Sequence, residues 1–146
     1  VLYGHLRAWL DDEGLATLIA DGEGEASGRL LDWAQQGLID VVQYDVLRPG
    51  FSRWLALGPQ LDRLGVRSAP HHYGEPFGNY AACHLATAIE NFEGVEWDDA
   101  AVPGLGASAY RVVEGEVRVP DLPGFGLALD AGRYAAAVDA EGFRVA

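Results

Sequence analysis

The chain has 146 residues and a net charge of −12, with 49% hydrophobic and 22% charged residues. That is ordinary for one globular domain with a sizeable core. Only 10 residues are Lys or Arg and they form no run or stripe, so the electrostatic footprint of nucleic-acid binding is missing. Anionic membrane surfaces are disfavoured on the same ground, and no apolar run approaches the ~18 residues of a spanning helix.

In chain order, Leu2, Leu6, Trp9 and Leu10 recur at helical spacing, and Asp11 to Gly14 close that segment. Thr17 to Ala20 reads as a strand buried on both faces, followed by Gly22 and Gly24 bracketing Glu23 in a loop. Ser27 is the expected N-cap of a helix carrying Leu30, Leu31 and Ala34 and ending at Gly37. Val41 to Tyr44 is the second strand, and Arg48-Pro49-Gly50 a turn. Phe51, Trp54, Leu55, Leu61 and Leu64 define the next helical face, with a kink or break expected at Gly58-Pro59. Arg67 to Ala69 is a third strand and His72 to Gly78 a loop. Asn79 to Glu90 is a helix burying Tyr80, Cys83, Leu85 and Ile89, and Gly94 to Glu96 is a fourth strand.

After Ala101 the pattern changes. Tyr110 to Val113 and Glu116 to Val119 alternate with period two around Glu114-Gly115, the signature of a β-hairpin. Pro120 to Gly126 is an irregular connector. A short Ala-rich helix over about Gly132 to Val138 and a ragged tail follow.

Four strand–helix alternations imply parallel βαβ units. Each strand ends near an ionisable residue: Glu23, Asp45, His71 and Glu96, in steps of 22, 26 and 25 residues. In a parallel β/α barrel, the C-terminal ends of successive strands converge on one rim, where active sites form. Four units alone would leave exposed parallel edges, which are aggregation hazards. The chain contains no Met and begins at Val1, so it is expected to be a fragment or the ordered part of a longer product. Cys83, the single cysteine, rules out an intrachain disulfide and fits a reducing, cytoplasmic location. The first residues lack the layout of a signal peptide.

Five stretches now resemble the C-terminal half of an enolase-superfamily protein of the mandelate racemase/muconate lactonising enzyme branch. They are Ile19-Ala20-Asp21-Gly22-Glu23, Asp40-Val41-Val42-Gln43-Tyr44-Asp45, Gly65-Val66-Arg67-Ser68-Ala69-Pro70-His71, Val95-Glu96-Trp97 and Val119-Pro120-Asp121-Leu122-Pro123-Gly124-Phe125-Gly126. Their order and spacing all match over roughly residues 15 to 130. Gly50 matches half of the Gly-Gly usual after the sixth strand, and Phe51 replaces the other half. The resemblance implies an α/β fold: strands five to eight of a modified (β/α)8 TIM-type barrel over residues 1–105. A hairpin and tail over 106–146 would return toward a capping domain not in this chain.

The resemblance also implies chemistry. Such proteins use Mg²⁺ to abstract the proton α to a carboxylate, giving an enediolate. Glu23 falls on the fifth-strand metal ligand, Asp45 and His71 on the aspartate–histidine dyad, and Glu96 on the eighth-strand acid that hydrogen-bonds the substrate carboxylate. The second-strand base and two further metal carboxylates would lie upstream of Val1. These residue types suit the tasks. Mg²⁺ prefers hard oxygen ligands, histidine exchanges protons near neutrality, and a carboxyl in an apolar, anion-rich pocket can be held protonated.

The expected activity is dehydration of a sugar acid. The alternatives are a racemase or epimerase of a 2-hydroxy acid, and an inactive fragment or degenerate member. Expected partners are a small-molecule carboxylate, the missing N-terminal half and further copies in a homo-oligomer, without nucleic acid or membrane. A zinc hydrolase fits poorly, since it would want more histidines at strand ends. The residues leave open Asp21 or Glu25 as ligand in place of Glu23, a turn-capping role for Asp45, and His72 in place of His71. Asp98 and Asp99 read as surface acids, His84 as a packed helix residue, and Cys83, Trp33 and Trp54 as core.

Overall fold

Parallel pairing of the apolar runs organises the first half of the chain. The computed structural model describes residues 2–24, 26–48, 50–73 and 76–142. It divides into two compact units, Val1–Asp98 and Asp99–Ala146.

In the first unit, α1 (Leu2–Asp12) precedes β1 (Ala20–Asp21), and α2 (Leu30–Gln35) connects it to β2 (Val41–Val42). Then α3 (Phe51–Leu64) leads to β3 (Arg67–Ser68), followed by α4 (Phe77–Ala86). The strands form a parallel sheet in the order β1-β2-β3, with Ala20 opposite Val41 and Val41 opposite Arg67. Single parallel bridges, Asp45 to His71 and Ser68 to Phe92, extend the pairing. Helix α2 packs on β2, and α3 packs on β3 and α4. The core between them holds Leu30, Val42, Trp54, Leu61, Leu85 and Ile89. Cys83 lies there too, and burial pushes its thiol up to about 11.

Several expectations are corrected. The first strand forms at Ala20–Asp21, after most of the expected run, and Leu18 is 40% exposed. Among the described residues β1 pairs only with β2, and just before it Ile19 is buried and bonded to Asp40 and Val41. No strand forms over Gly94 to Glu96. The fourth parallel contact comes earlier, where Ser68 N–H donates to Asn91 O (2.8 Å) and Glu93 N–H to Ser68 O (2.9 Å). Ser27 does not cap α2; its hydroxyl accepts from Arg29 N–H (3.2 Å) in the preceding turn. Helix α4 starts two residues early, because Pro76 at its cap needs no hydrogen-bond acceptor.

Helix α3 runs through Pro59 without a break. The carbonyl that loses its partner is that of Leu55, a residue 41% exposed, so water can take the bond. Gly58 faces the core, and a Cβ there would lie 2.4 Å from Ile89 Cγ1. Gly78, in the first turn of α4, is tighter still: a Cβ would lie 2.3 Å from His72 Cβ and 2.5 Å from its Cγ. These atoms sit at the root of a side chain that is itself buried, and they cannot swing aside. Gly78→Ala is therefore expected to destabilise the full-length protein by about 1–3 kcal/mol, read as a lower urea midpoint. An unchanged midpoint would show that the contact relaxes freely.

Helix α1 buries only Leu10; Leu2, Leu6 and Trp9 are exposed. Polar contacts fix it instead. Arg7 pairs with Asp40, and the Tyr3 hydroxyl donates to Asp21.

The second unit is built from short antiparallel pairs. β4 (Leu105–Gly106) pairs with β7 (Ala128–Leu129), and β5 (Val112–Val113) with β6 (Glu116–Val117). Glu114 and Gly115 both take positive φ (52° and 81°), as the tight turn of the expected hairpin requires. Buried Tyr110 donates from its hydroxyl to Phe125 O (2.6 Å), anchoring the irregular connector. Helix α5 (Ala131–Glu141) is longer than expected and is capped by Asp130, whose carboxylate accepts from Arg133 N–H. Among the described residues no helix is long and apolar enough to cross a membrane. Pro49 of the expected turn, Gly74 and Glu75 of the expected loop, and residues 143–146 of the expected tail lie outside the described residues.

Candidate active site

The C-terminal ends of β1, β2 and β3 carry three of the four residues singled out by spacing. Gly22 sets the exit from β1. Its φ of 135° and the backbone of Gln43 and Tyr44, 3.0 Å from any added Cβ, admit only glycine comfortably. The chain then presents Glu23, whose side chain is 64% exposed.

Asp45 and His71 face each other on adjacent strand ends. Their backbones are tied by His71 N–H to Tyr44 O (3.2 Å) and Val46 N–H to His71 O (2.9 Å). Their side chains meet at 2.6 Å, His71 Nδ1 to Asp45 Oδ1. The other ring nitrogen, Nε2, lies 3.2 Å from Glu23 Oε2 and 3.8 Å from Glu96 Oε2. All four residues thus meet around one imidazole. The hydrogen bond to Asp45 raises the His71 pKa; burial opposes it, and the charges of Glu96 and Glu23 add to it.

The neighbouring histidine behaves differently. His72 is 2% exposed, its ring packed against Gly78, and among the described residues neither ring nitrogen has a hydrogen-bond partner. Burial lowers its pKa, which keeps it neutral. Adjacent residues at a strand end point to opposite sides, so only His71 reaches the acids.

Other rivals separate as well. Both Asp21 oxygens accept hydrogen bonds, one from Tyr3 and one from Gly22 N–H. Glu25 lies outside the described residues. Asp98 holds Asn79 through its backbone (2.7 and 2.9 Å).

A cleft of about 210 Å³ opens beside the imidazole, lined by Gly24, Asp45, Arg48, His71, His72 and Tyr73. Arg48 and Tyr73 were not singled out from sequence; Arg48 read only as part of a turn. A cation beside a cluster of acids suits an anionic or hydroxyl-rich ligand. For a divalent metal, Glu23 offers an exposed, hard oxygen donor. No group of three or more His, Cys, Asp or Glu residues is arranged to hold a metal among the described residues. Glu23 would therefore fit as one member of a ligand set that the described residues do not complete.

Residues 5–133 match the family described as enolase C-terminal domain-like. The chain belongs to this family. The enolase C-terminal domain-like fold of the chain also superposes on solved structures. One is a mandelate racemase/muconate lactonizing protein from Geobacillus sp. Y412MC10, complexed with magnesium and tartrate. It is 47% identical with a TM-score of 0.94, over 97% of this chain and 37% of that one. Another is a galacturonate dehydratase from Geobacillus sp., complexed with D-galacturonate and 5-keto-4-deoxy-D-galacturonate. It is 47% identical with a TM-score of 0.93, over 96% and 38%. An enolase from Pantoea ananatis with bound D-gluconate and Mg is 24% identical with a TM-score of 0.71, over 88% and 33%, and shares the fold. This enolase C-terminal domain-like chain thus spans little more than a third of the length of these structures. No curated protein matches it.

Proposed function

We propose that this chain supplies strands five to eight of a (β/α)8 barrel in a Mg²⁺-dependent sugar-acid dehydratase. The observation that carries the proposal is one imidazole, His71, held by Asp45 at 2.6 Å and facing Glu23 and Glu96. Identity of 47% to a galacturonate dehydratase supports the substrate class.

Each residue has a task in this reading. Asp45 fixes the His71 tautomer and favours the protonated ring. The hydrogen bond to Asp45 raises the His71 pKa and so favours the protonated ring, which suits an acid that delivers a proton to a departing β-hydroxyl. The α-proton and the hydroxyl leave as water, and the product enol becomes a 2-keto acid. Glu96 faces the substrate carboxylate, where negative charge develops, and forms a hydrogen bond with it. Arg48 and Tyr73 line the cleft in which the hydroxyl-bearing chain lies. Glu23 is one oxygen ligand of Mg²⁺, which when bound stabilises developing carboxylate charge as a Lewis acid.

The full-length protein, given D-galacturonate and Mg²⁺, is expected to accumulate a 2-keto acid. Glu23→Gln is expected to lower that turnover by about 10²-fold or more, with weaker Mg²⁺ binding by calorimetry. Exchange of the α-proton without loss of water would replace the dehydratase with an epimerase. Unaltered Mg²⁺ affinity in Glu23→Gln would remove Glu23 from the ligand set.

A further inference from the structure

Glu96 lacks the support that its three companions have. Glu23, Asp45 and His71 follow strands or bridges of the sheet, whereas residues 93–102 have no regular structure. The last ladder contact upstream of Glu96 is at Glu93, whose N–H donates to Ser68 O. An exposed acid on an unpaired segment would sample many positions. Something else must place it.

Helix α4 does so. Asn79 is fully buried and holds the backbone of Asp98 at both polar groups. Its Nδ2 donates to Asp98 O (2.7 Å), and its Oδ1 accepts from Asp98 N–H (2.9 Å). One residue closer to Glu96, buried Tyr80 meets Trp97 edge-on, with ring centroids 6.4 Å apart at 87°. Two consecutive α4 residues thus clamp the two residues after Glu96. From that anchor, Glu96 Oε2 reaches back to accept from His72 N–H (3.3 Å) and sits 3.8 Å from His71 Nε2. A primary amide carries its donor and its acceptor on separate atoms, as the two Asp98 backbone groups require. A hydrophobe in its place would leave two buried backbone groups unpaired, each costly.

We infer that Asn79 is a positioning residue for the active site: its two-bond clamp on Asp98 fixes Glu96 against His71. The inference rests on the reading of Glu96 as the acid that meets the substrate carboxylate.

The test uses Asn79→Ala, Glu96→Gln and the double variant in the full-length protein with Mg²⁺ and D-galacturonate. Asn79→Ala is expected to lower kcat by about 10²-fold, the scale of a misplaced catalytic group, with a much smaller change in KM. Added to Glu96→Gln it should cost little more, because the residue it acts through is already disabled. Amide hydrogen exchange gives a readout that needs no substrate. Both Asp98 and His72 N–H should exchange about tenfold faster or more in Asn79→Ala, although both hydrogen bonds of the Asn79 amide go to Asp98 and not to His72. Where Asn79→Ala fails to fold, Asn79→Ser carries the same measurements, since it adds no buried charge and its shorter hydroxyl does not span both Asp98 groups. Losses of kcat that multiply in the double variant, or unchanged exchange at His72, overturn the inference. If Glu96→Gln leaves kcat intact while exchange at His72 responds, the clamp stands and the role given to Glu96 falls.

Discussion

His71→Asn in the full-length protein is expected to cut turnover of D-galacturonate by about 10²–10⁴-fold, the usual worth of a positioned acid or base. The fold should survive. The backbone bonds at this position, to Tyr44 O and from Val46 N–H, do not involve the ring, and asparagine is smaller than histidine. Its amide can still reach toward Asp45, but it cannot carry a proton between pH 5 and 8. KM should change little, because the imidazole acts on the departing group more than on the bound carboxylate. The decisive measurement is kcat by 2-keto acid formation, with circular dichroism as a control. Retention of more than about a tenth of the activity would take His71 out of the chemistry.

Asp45→Asn should cost about 10²-fold or more in kcat, because the imidazole loses the group that orients it and stabilises its protonated form. The same substitution has a signature in stability. Asp45 raises the His71 pKa in the folded protein above its ordinary value of about 6.5. Stabilisation from this pair is complete below the ordinary value and is lost as pH rises through the folded one. The urea midpoint of Asp45→Asn, measured without Mg²⁺, should therefore lie below that of the native protein at about pH 5.5. The gap should narrow by about pH 9. A gap that is constant with pH would mean that Asp45 acts on the fold by packing alone.

Alternation of apolar runs with helical faces made the parallel βα pattern legible, and the hairpin at Glu114-Gly115 was legible from its turn chemistry. What escaped depended on neighbours. The run at Thr17 to Ala20 has strand composition, but its ladder with β2 starts only at Ala20. Leu105–Gly106 and Ala128–Leu129 pair over two residues each, across 21 intervening positions, too short to impose a periodicity. Proline at position 59 warned of a break that solvent at Leu55 makes unnecessary. At the candidate site, regular spacing was enough to foresee that Glu23, Asp45, His71 and Glu96 could meet. Spacing could not choose between His71 and His72, which the resemblance alone ordered. It carried no sign of Asn79, because a polar residue inside a helical stretch looks the same whether it faces water or grips a distant backbone.

The Asp45–His71 pair is also a rung of the sheet, joined through backbone and side chains alike. Its geometry therefore comes from the spacing of neighbouring strands, about 4.8 Å, and not from any loop. A slip of one residue would turn one partner away from the other, so the proton chemistry is locked to strand register. The segments around Gly24, Arg48 and Tyr73 carry no such constraint. They form an interchangeable rim, where substitutions or insertions can retune which molecule is accepted while the dyad beneath stays fixed. Efforts to redirect selectivity should begin at that rim and leave the strands untouched.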